Sequence, residues 1–87
     1  MTKSRRVELK MPWLDSEVAT VVVSGWLAEE GQAVEIDQDL LELKVDGEIF
    51  LLPSPLDGVL VSREVEPGDY LEVGQILGMI EEEEIGE

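Results

Sequence analysis

Short runs of Val, Ile and Leu, each closed by Gly, Pro or Asp, follow one another along the whole chain. That punctuation belongs to strands and turns, and evidence for any helix is thin. The pattern predicts strands over Arg6–Lys10, Ala19–Leu27, Ala33–Glu35, Leu40–Val45, Glu48–Leu52, Gly58–Val65, Tyr70–Glu72 and Ile76–Glu81. Eight short strands in a chain this small predict an all-β fold, a flattened barrel or sandwich. The connections carry their own turn chemistry. Glu29-Glu30-Gly31-Gln32 and Glu66-Pro67-Gly68-Asp69 each put glycine where a tight reversal needs positive φ, and Asp57-Gly58 marks another turn. Asp46-Gly47, set between two apolar runs, is the strongest local signal and predicts a two-residue type I′ hairpin.

The second half of the chain repeats the first. A constant shift of 37 residues superposes Gly31 on Gly68, Val34 on Leu71, Glu35 on Glu72, Ile36 on Val73, Gln38 on Gln75 and Leu40 on Leu77. The same shift brings Val22-Val23 onto Val59-Leu60, while the match drifts between Gly25 and Ala28. Two units are too few for a solenoid. They predict two quasi-symmetric antiparallel sheets packed face to face, each closing the apolar side of the other.

Composition narrows the chemistry. The 87 residues make one domain, near the size below which small folds call on a disulfide or a metal. There is no Cys and no His, so no disulfide, thiolate zinc site, thiol nucleophile or imidazole base exists. The many acids form no calcium-loop spacing, and no metal site is expected. Paired acids such as Glu29-Glu30 and Asp37 with Asp39 read as solvated strand faces and turns. No phosphate loop or serine elbow is present, so an enzyme in its own right is not expected. The net charge of −15 is uneven. Lys3, Arg5, Arg6 and Lys10 hold four of the six basic charges, and only Lys44 and Arg63 face the 15 acids between Met11 and Ile80. Such a surface repels nucleic acid and anionic membranes, and it either keeps the protein soluble or steers it toward a basic partner. No apolar stretch suits a signal peptide or a membrane span, which predicts a cytoplasmic protein. The chain divides into a flexible basic N-terminus (1–6), one folded domain (7–82) and a frayed acidic tail (83–87).

Taken in order, the motifs resemble those of lipoyl and biotinyl attachment domains, above all the lipoyl domains of 2-oxoacid dehydrogenase acyltransferases. The resemblance runs from about Val7 to Glu82. Its carriers are Lys10-Met11-Pro12, the stretch from Val18 to Trp26-Leu27, Glu30-Gly31-Gln32-Ala33-Val34, Leu41-Glu42-Leu43, Pro55-Leu56-Asp57-Gly58-Val59, Pro67-Gly68-Asp69 and Gly74-Gln75-Ile76-Leu77-Gly78. It implies that function lies in one hairpin, here Val45-Asp46-Gly47-Glu48, whose tip in lipoyl domains carries an Asp-Lys pair. That lysine is joined to the cofactor through an amide. In this chain Asp46 matches the aspartate and Gly47 stands at the lysine position, so no covalent cofactor is expected. The alternative is lipoate or biotin on Lys44, which would require a slipped strand register; otherwise Lys44 is an exposed strand lysine among Glu42, Asp46 and Glu48. Trp13 and Leu14 match the surface loop beside the hairpin, which implies a contact with partner proteins, although Trp13 equally suits a ring folded back onto the sandwich. Trp26 is expected in the core, in the middle of a strand. The leading expectation is a non-catalytic, monomeric, carrier-like domain. It would act through protein contacts (docking, structural or regulatory) with an enzyme or ligase that recognises carrier domains. The second is a working acyl or carboxyl carrier modified at Lys44.

Overall fold

A computed structural model of the chain describes residues 3–12 and 20–84. Trp13, Leu14 and Ala19 lie outside the described residues, as do Ile85, Gly86 and Glu87. Among the described residues seven strands form in chain order: β1 (Lys3–Lys10), β2 (Val21–Trp26), β3 (Ala33–Val34), β4 (Asp39–Val45), β5 (Glu48–Pro53), β6 (Gly58–Arg63) and β7 (Ile76–Glu84). They make two antiparallel sheets, one ordered β1-β7-β6-β3 and the other β2-β4-β5. The expected eighth strand at Tyr70–Glu72 shortens to one isolated bridge, Val22 with Tyr70, on the free side of β2. Its neighbours Gly68 and Gly74 take φ of +94° and +84°. Two reversals that close together leave no room for a ladder.

Alternation sets the faces. In β4, Leu41 and Leu43 point inward and are fully buried, while Lys44 is exposed and Glu42 half-buried. Leu40, Leu60, Leu77 and Ile80 complete the most deeply buried group, with Leu9, Val23, Val34, Leu52 and Leu71 around it. Among the described residues no buried side-chain polar atom lacks a hydrogen-bond partner.

The 37-residue repeat is realised bond by bond. Val22 pairs with Lys44 as Val59 pairs with Glu81, and Val23 pairs with Leu43 as Leu60 pairs with Ile80. β2 and β6 both bulge at the equivalent place, between Val23 and Gly25 and between Leu60 and Ser62. The turns agree as well. The Glu29 N–H donates to Gln32 Oε1 at 3.0 Å, and the Glu66 N–H to Asp69 Oδ2 at 2.8 Å. The Glu35 N–H donates to Gln38 Oε1 at 2.9 Å, and the Glu72 N–H to Gln75 Oε1 at 3.0 Å. A side-chain oxygen thus closes each turn by reaching back to the N–H three residues earlier, as the last residue of a capping box does, and Gln replaces Asp without changing the bond.

Where the sequence match drifts, the backbone does not. Trp26 and Arg63 are equivalent under the same shift, and each reaches into the opposite half. Trp26 Nε1–H donates to the Val65 carbonyl at 2.9 Å, and an Arg63 guanidinium N–H to the Ala28 carbonyl at 3.5 Å. Trp26 ends β2 half-buried against the core, instead of filling the middle of a strand. Its ring needs room. A Cβ added at Gly78 would lie 3.3 Å from Trp26 Cη2 and 2.6 Å from the Ser62 carbonyl oxygen. Leu41, the equivalent of Gly78, pairs with Trp26 itself.

Two further readings change. Asp57-Gly58 is a bend leading into β6, and Gly58 is required by a close approach: a Cβ there would collide with the backbone carbonyl of Glu81. Pairing at the chain ends also runs further than the hydrophobic pattern predicts. Residues 3–5, read above as part of a flexible basic arm, begin β1, and residues 83 and 84, read above as part of a frayed acidic tail, end β7. Opposite charges across the two strands explain the extension. Arg5 lies 2.7 Å from Glu82 and Arg6 3.5 Å from Glu81; the arginines are exposed and the glutamates half-buried, and each pair's individual contribution is small.

Gly78→Ala is expected to destabilise the domain by about 1–3 kcal/mol through overpacking against Trp26 and the β6 backbone. Urea unfolding followed by Trp26 fluorescence measures it, and an unchanged midpoint would show that the ring moves aside freely.

Candidate functional site

The hairpin joining β4 to β5 has the geometry its two central residues dictate. Asp46 and Gly47 take φ of +49° and +85°, and Val45 and Glu48 face each other across the two-residue loop. Positive φ at both central positions is the signature of a type I′ turn, whose twist matches that of the flanking strands. Aspartate tolerates the left-handed region better than most residues, and glycine occupies it without penalty. The tip is exposed, and no atom comes within 4 Å of a Cβ built on Gly47. Any side chain at position 47 would therefore project into open space, and only the backbone conformation selects against it.

Asp46 also ties the tip to the chain entering β2. Its Oδ1 accepts from the Thr20 N–H at 2.8 Å and lies 3.4 Å from Thr20 Oγ1, while the Asp46 N–H donates to the Thr20 carbonyl at 3.0 Å. The carboxylate thus holds the loop against β2, and it braces whatever occupies the next position.

Lys44 sits within β4, opposite Val22 on one side and Ile49 on the other. It is exposed and faces outward from the sheet, two residues before the turn begins. The register that places Leu41 and Leu43 in the core fixes it there. Bringing Lys44 to the tip would move those leucines outward, so the structure does not unite Lys44 with the hairpin tip. Trp13 and Leu14, expected beside this hairpin, are outside the described residues.

A second feature escaped sequence reasoning. A shallow groove forms where the halves meet, lined by Gly25, Trp26, Glu30, Arg63, Val65 and Glu66. Glu30 closes one side by accepting from the Arg63 backbone N–H at 2.8 Å. Equivalence of Trp26 with Arg63 was the signal that could have found it, but the two residue types share no obvious likeness. Among the described residues no three His, Cys, Asp or Glu side chains converge as a metal site, and no helix is long and apolar enough to cross a membrane.

Gly47→Ala is expected to cost about 1 kcal/mol, since it strains the backbone without a steric clash. Gly47→Asn should cost less, and equal losses measured by thermal unfolding would place the strain elsewhere.

Comparison with known proteins agrees with this architecture. The chain superposes on the solution structure of the lipoyl domain of the 2-oxoglutarate dehydrogenase complex from Azotobacter vinelandii with a TM-score of 0.70. That match covers 85% of this chain and 94% of that one at 24% identity, a likeness of fold. The dihydrolipoyllysine-residue succinyltransferase component of the 2-oxoglutarate dehydrogenase complex of Bartonella vinsonii subsp. berkhoffii is 36% identical over 74 residues, 85% of this chain. The dihydrolipoyllysine-residue acetyltransferase component of the pyruvate dehydrogenase complex of Corynebacterium glutamicum is 33% identical over 72 residues, 83% of this chain. The chain spans only 18% and 11% of the length of these two relatives. Residues 7–80 match the Biotin_lipoyl family model, described as biotin-requiring enzyme. With its two-sheet sandwich and most of its length matched, the chain belongs to the biotin/lipoyl family.

Proposed function

We propose that this domain keeps the carrier scaffold without the carrier chemistry, and works through protein contacts. Gly47 stands where the family resemblance puts the attachment lysine, and a hydrogen has no nitrogen to acylate. The observation that carries the reading is the Asp46-Gly47 turn, with both residues at positive φ at an exposed tip. The aspartate that would precede the lysine is present and anchored to Thr20. In this reading the domain has no covalent lipoate or biotin and no catalytic role. Its partners are proteins that recognise carrier domains, either enzymes of a 2-oxoacid dehydrogenase type of complex or an attachment ligase. The relatives, components of such complexes, support that class of partner. Trp13 and Leu14, which precede β2 in the sequence, are the proposed contact residues.

The test is the intact mass after co-expression with lipoate and biotin ligases and both cofactors. An unmodified mass is expected, whereas an adduct mapped to Lys44 would overturn the reading. Gly47→Lys is expected to convert the protein into an acceptor, despite about 1 kcal/mol of backbone strain at the tip. If that variant stays unmodified while its fold is intact by circular dichroism, position 47 is not the acceptor position.

A further inference from the structure

The two halves offer equivalent sheet edges, and these edges differ in chemistry. β1 is the outer strand of one sheet and β5 of the other. Val7 pairs with Ile80 as Phe50 pairs with Leu43, so Arg6 is equivalent to Ile49 and Glu8 to Leu51. The β1 edge thus carries Arg5, Arg6, Glu8 and Lys10, charges of the kind that block strand addition. At the same positions β5 exposes Ile49 at 63% and Leu51 at 41%, with Phe50 between them at 36%.

The register identifies which backbone groups of β5 are open. The Asp46 N–H points toward β2, donating to Thr20, so Val45, Leu43 and Leu41 turn their amides toward β5. Glu48, Phe50 and Leu52 therefore bond β4, while Ile49 and Leu51 turn their N–H and C=O groups outward. Among the described residues no strand covers them. Pro53, next in that series, has no N–H and ends the open edge.

We propose that the β5 edge pairs antiparallel with β5 of a second copy of this chain, joining two three-stranded sheets into one of six strands. The edge is self-complementary. With Phe50 opposite Phe50, each Ile49 faces Leu51 of the other copy, and the two pairs exchange four backbone hydrogen bonds. On the outer face Ile49 and Leu51 from both copies then form one apolar cluster. Lys44 flanks each Ile49 and Glu42 each Leu51, so every cross-strand row runs from an acid to a base. No charged residue lies between Glu48 and Pro53 to oppose the pairing. The remaining obstacle is general repulsion between two chains of −15, which salt screens. A pairing this small falls short of a standard interface of about 1,200–2,000 Å², so the dimer is weak and concentration-dependent.

Sedimentation velocity over a concentration series reaching about 1 mM tests this, at about 0.05 M and 0.5 M NaCl. A monomer–dimer shift that strengthens with salt is expected. Amide chemical-shift changes on raising the concentration should centre on Ile49 and Leu51. The double variant Ile49→Glu, Leu51→Glu sets like charges against each other across the proposed pairing, with the new carboxylate at position 49 still opposite Lys44 within the sheet, and it should weaken association at least about 10-fold. A wild-type chain that stays monomeric at every concentration and salt would overturn the proposal. So would a folded double variant that associates as the wild type does, or shift changes centred away from β5. Association with an added basic, apolar peptide that weakens with salt, in place of self-association, would assign the edge to a different occupant and equally overturn it.

Discussion

Everything in this fold hangs on four backbone hydrogen bonds in which the turn of each half is held by a strand of the other. The Gly31 N–H donates to the Leu60 carbonyl at 2.7 Å, and the Gly68 N–H to the Val23 carbonyl at 2.8 Å. The return bonds run from Leu60 to Gln32 and from Val23 to Asp69, at 3.0 and 2.8 Å. Each turn closes locally, through Gln32 N–H to the Glu29 carbonyl and Asp69 N–H to the Glu66 carbonyl, but it is seated on a strand of the other half. A half alone would give these bonds up to water and leave its apolar face exposed, and the lost burial is the larger cost. The consequence is one cooperative unit, although the chain is built of two similar parts.

That interlock also explains how a domain without disulfide or histidine–metal staples holds together at this size. The core is a single layer of Leu, Ile and Val shared between the sheets, and the turns around it are closed by the molecule's own side chains at Gln32, Gln38, Asp69 and Gln75. A side-chain oxygen bonded to a backbone N–H three residues earlier keeps each turn from exchanging its bonds with water. Several of the acids belong to this hydrogen-bond system, for Asp69, Glu30 and Asp57 each accept from a backbone N–H.

Much of this was legible in the residues. Strands β2, β4, β5 and β6 fall where apolar runs meet turn residues, and Asp46-Gly47 alone specified its turn type. The repeat was visible because Gly31 and Gly68, and Gln38 and Gln75, serve local chemistry that admits few substitutes. What stayed hidden was chemistry between distant residues. Trp26 and Arg63 do the same task with unrelated side chains, so no sequence likeness marks them as mates. Gly58 read as a turn residue and Gly78 as an ordinary strand position, but the role of both is to admit a backbone carbonyl from a neighbouring strand. The ends of β1 and β7 were missed because hydrophobic pattern is silent where pairing rests on opposite charges. For the candidate site, the turn was readable and its bracing by Thr20 was not, since the two lie 26 residues apart.

With position 47 as the acceptor position proposed above, folding and carrier chemistry ask for different residues there. Packing is indifferent there, because a side chain would meet only solvent. The backbone is not indifferent: at φ of +85° every residue with a Cβ is strained, and glycine is favoured by about 1 kcal/mol. A scaffold that keeps an acceptor lysine at such a tip does so against its own local preference, and sustains it through the rest of the fold. Once nothing at the tip has to be acylated, the preference is unopposed and glycine is the residue that the turn itself selects. Aspartate at position 46 follows a different logic, for its carboxylate ties the hairpin to Thr20 whether or not a lysine comes next. The pair Asp46-Gly47 is therefore the combination expected of a hairpin shaped by folding alone, on a scaffold that still presents it at its exposed end.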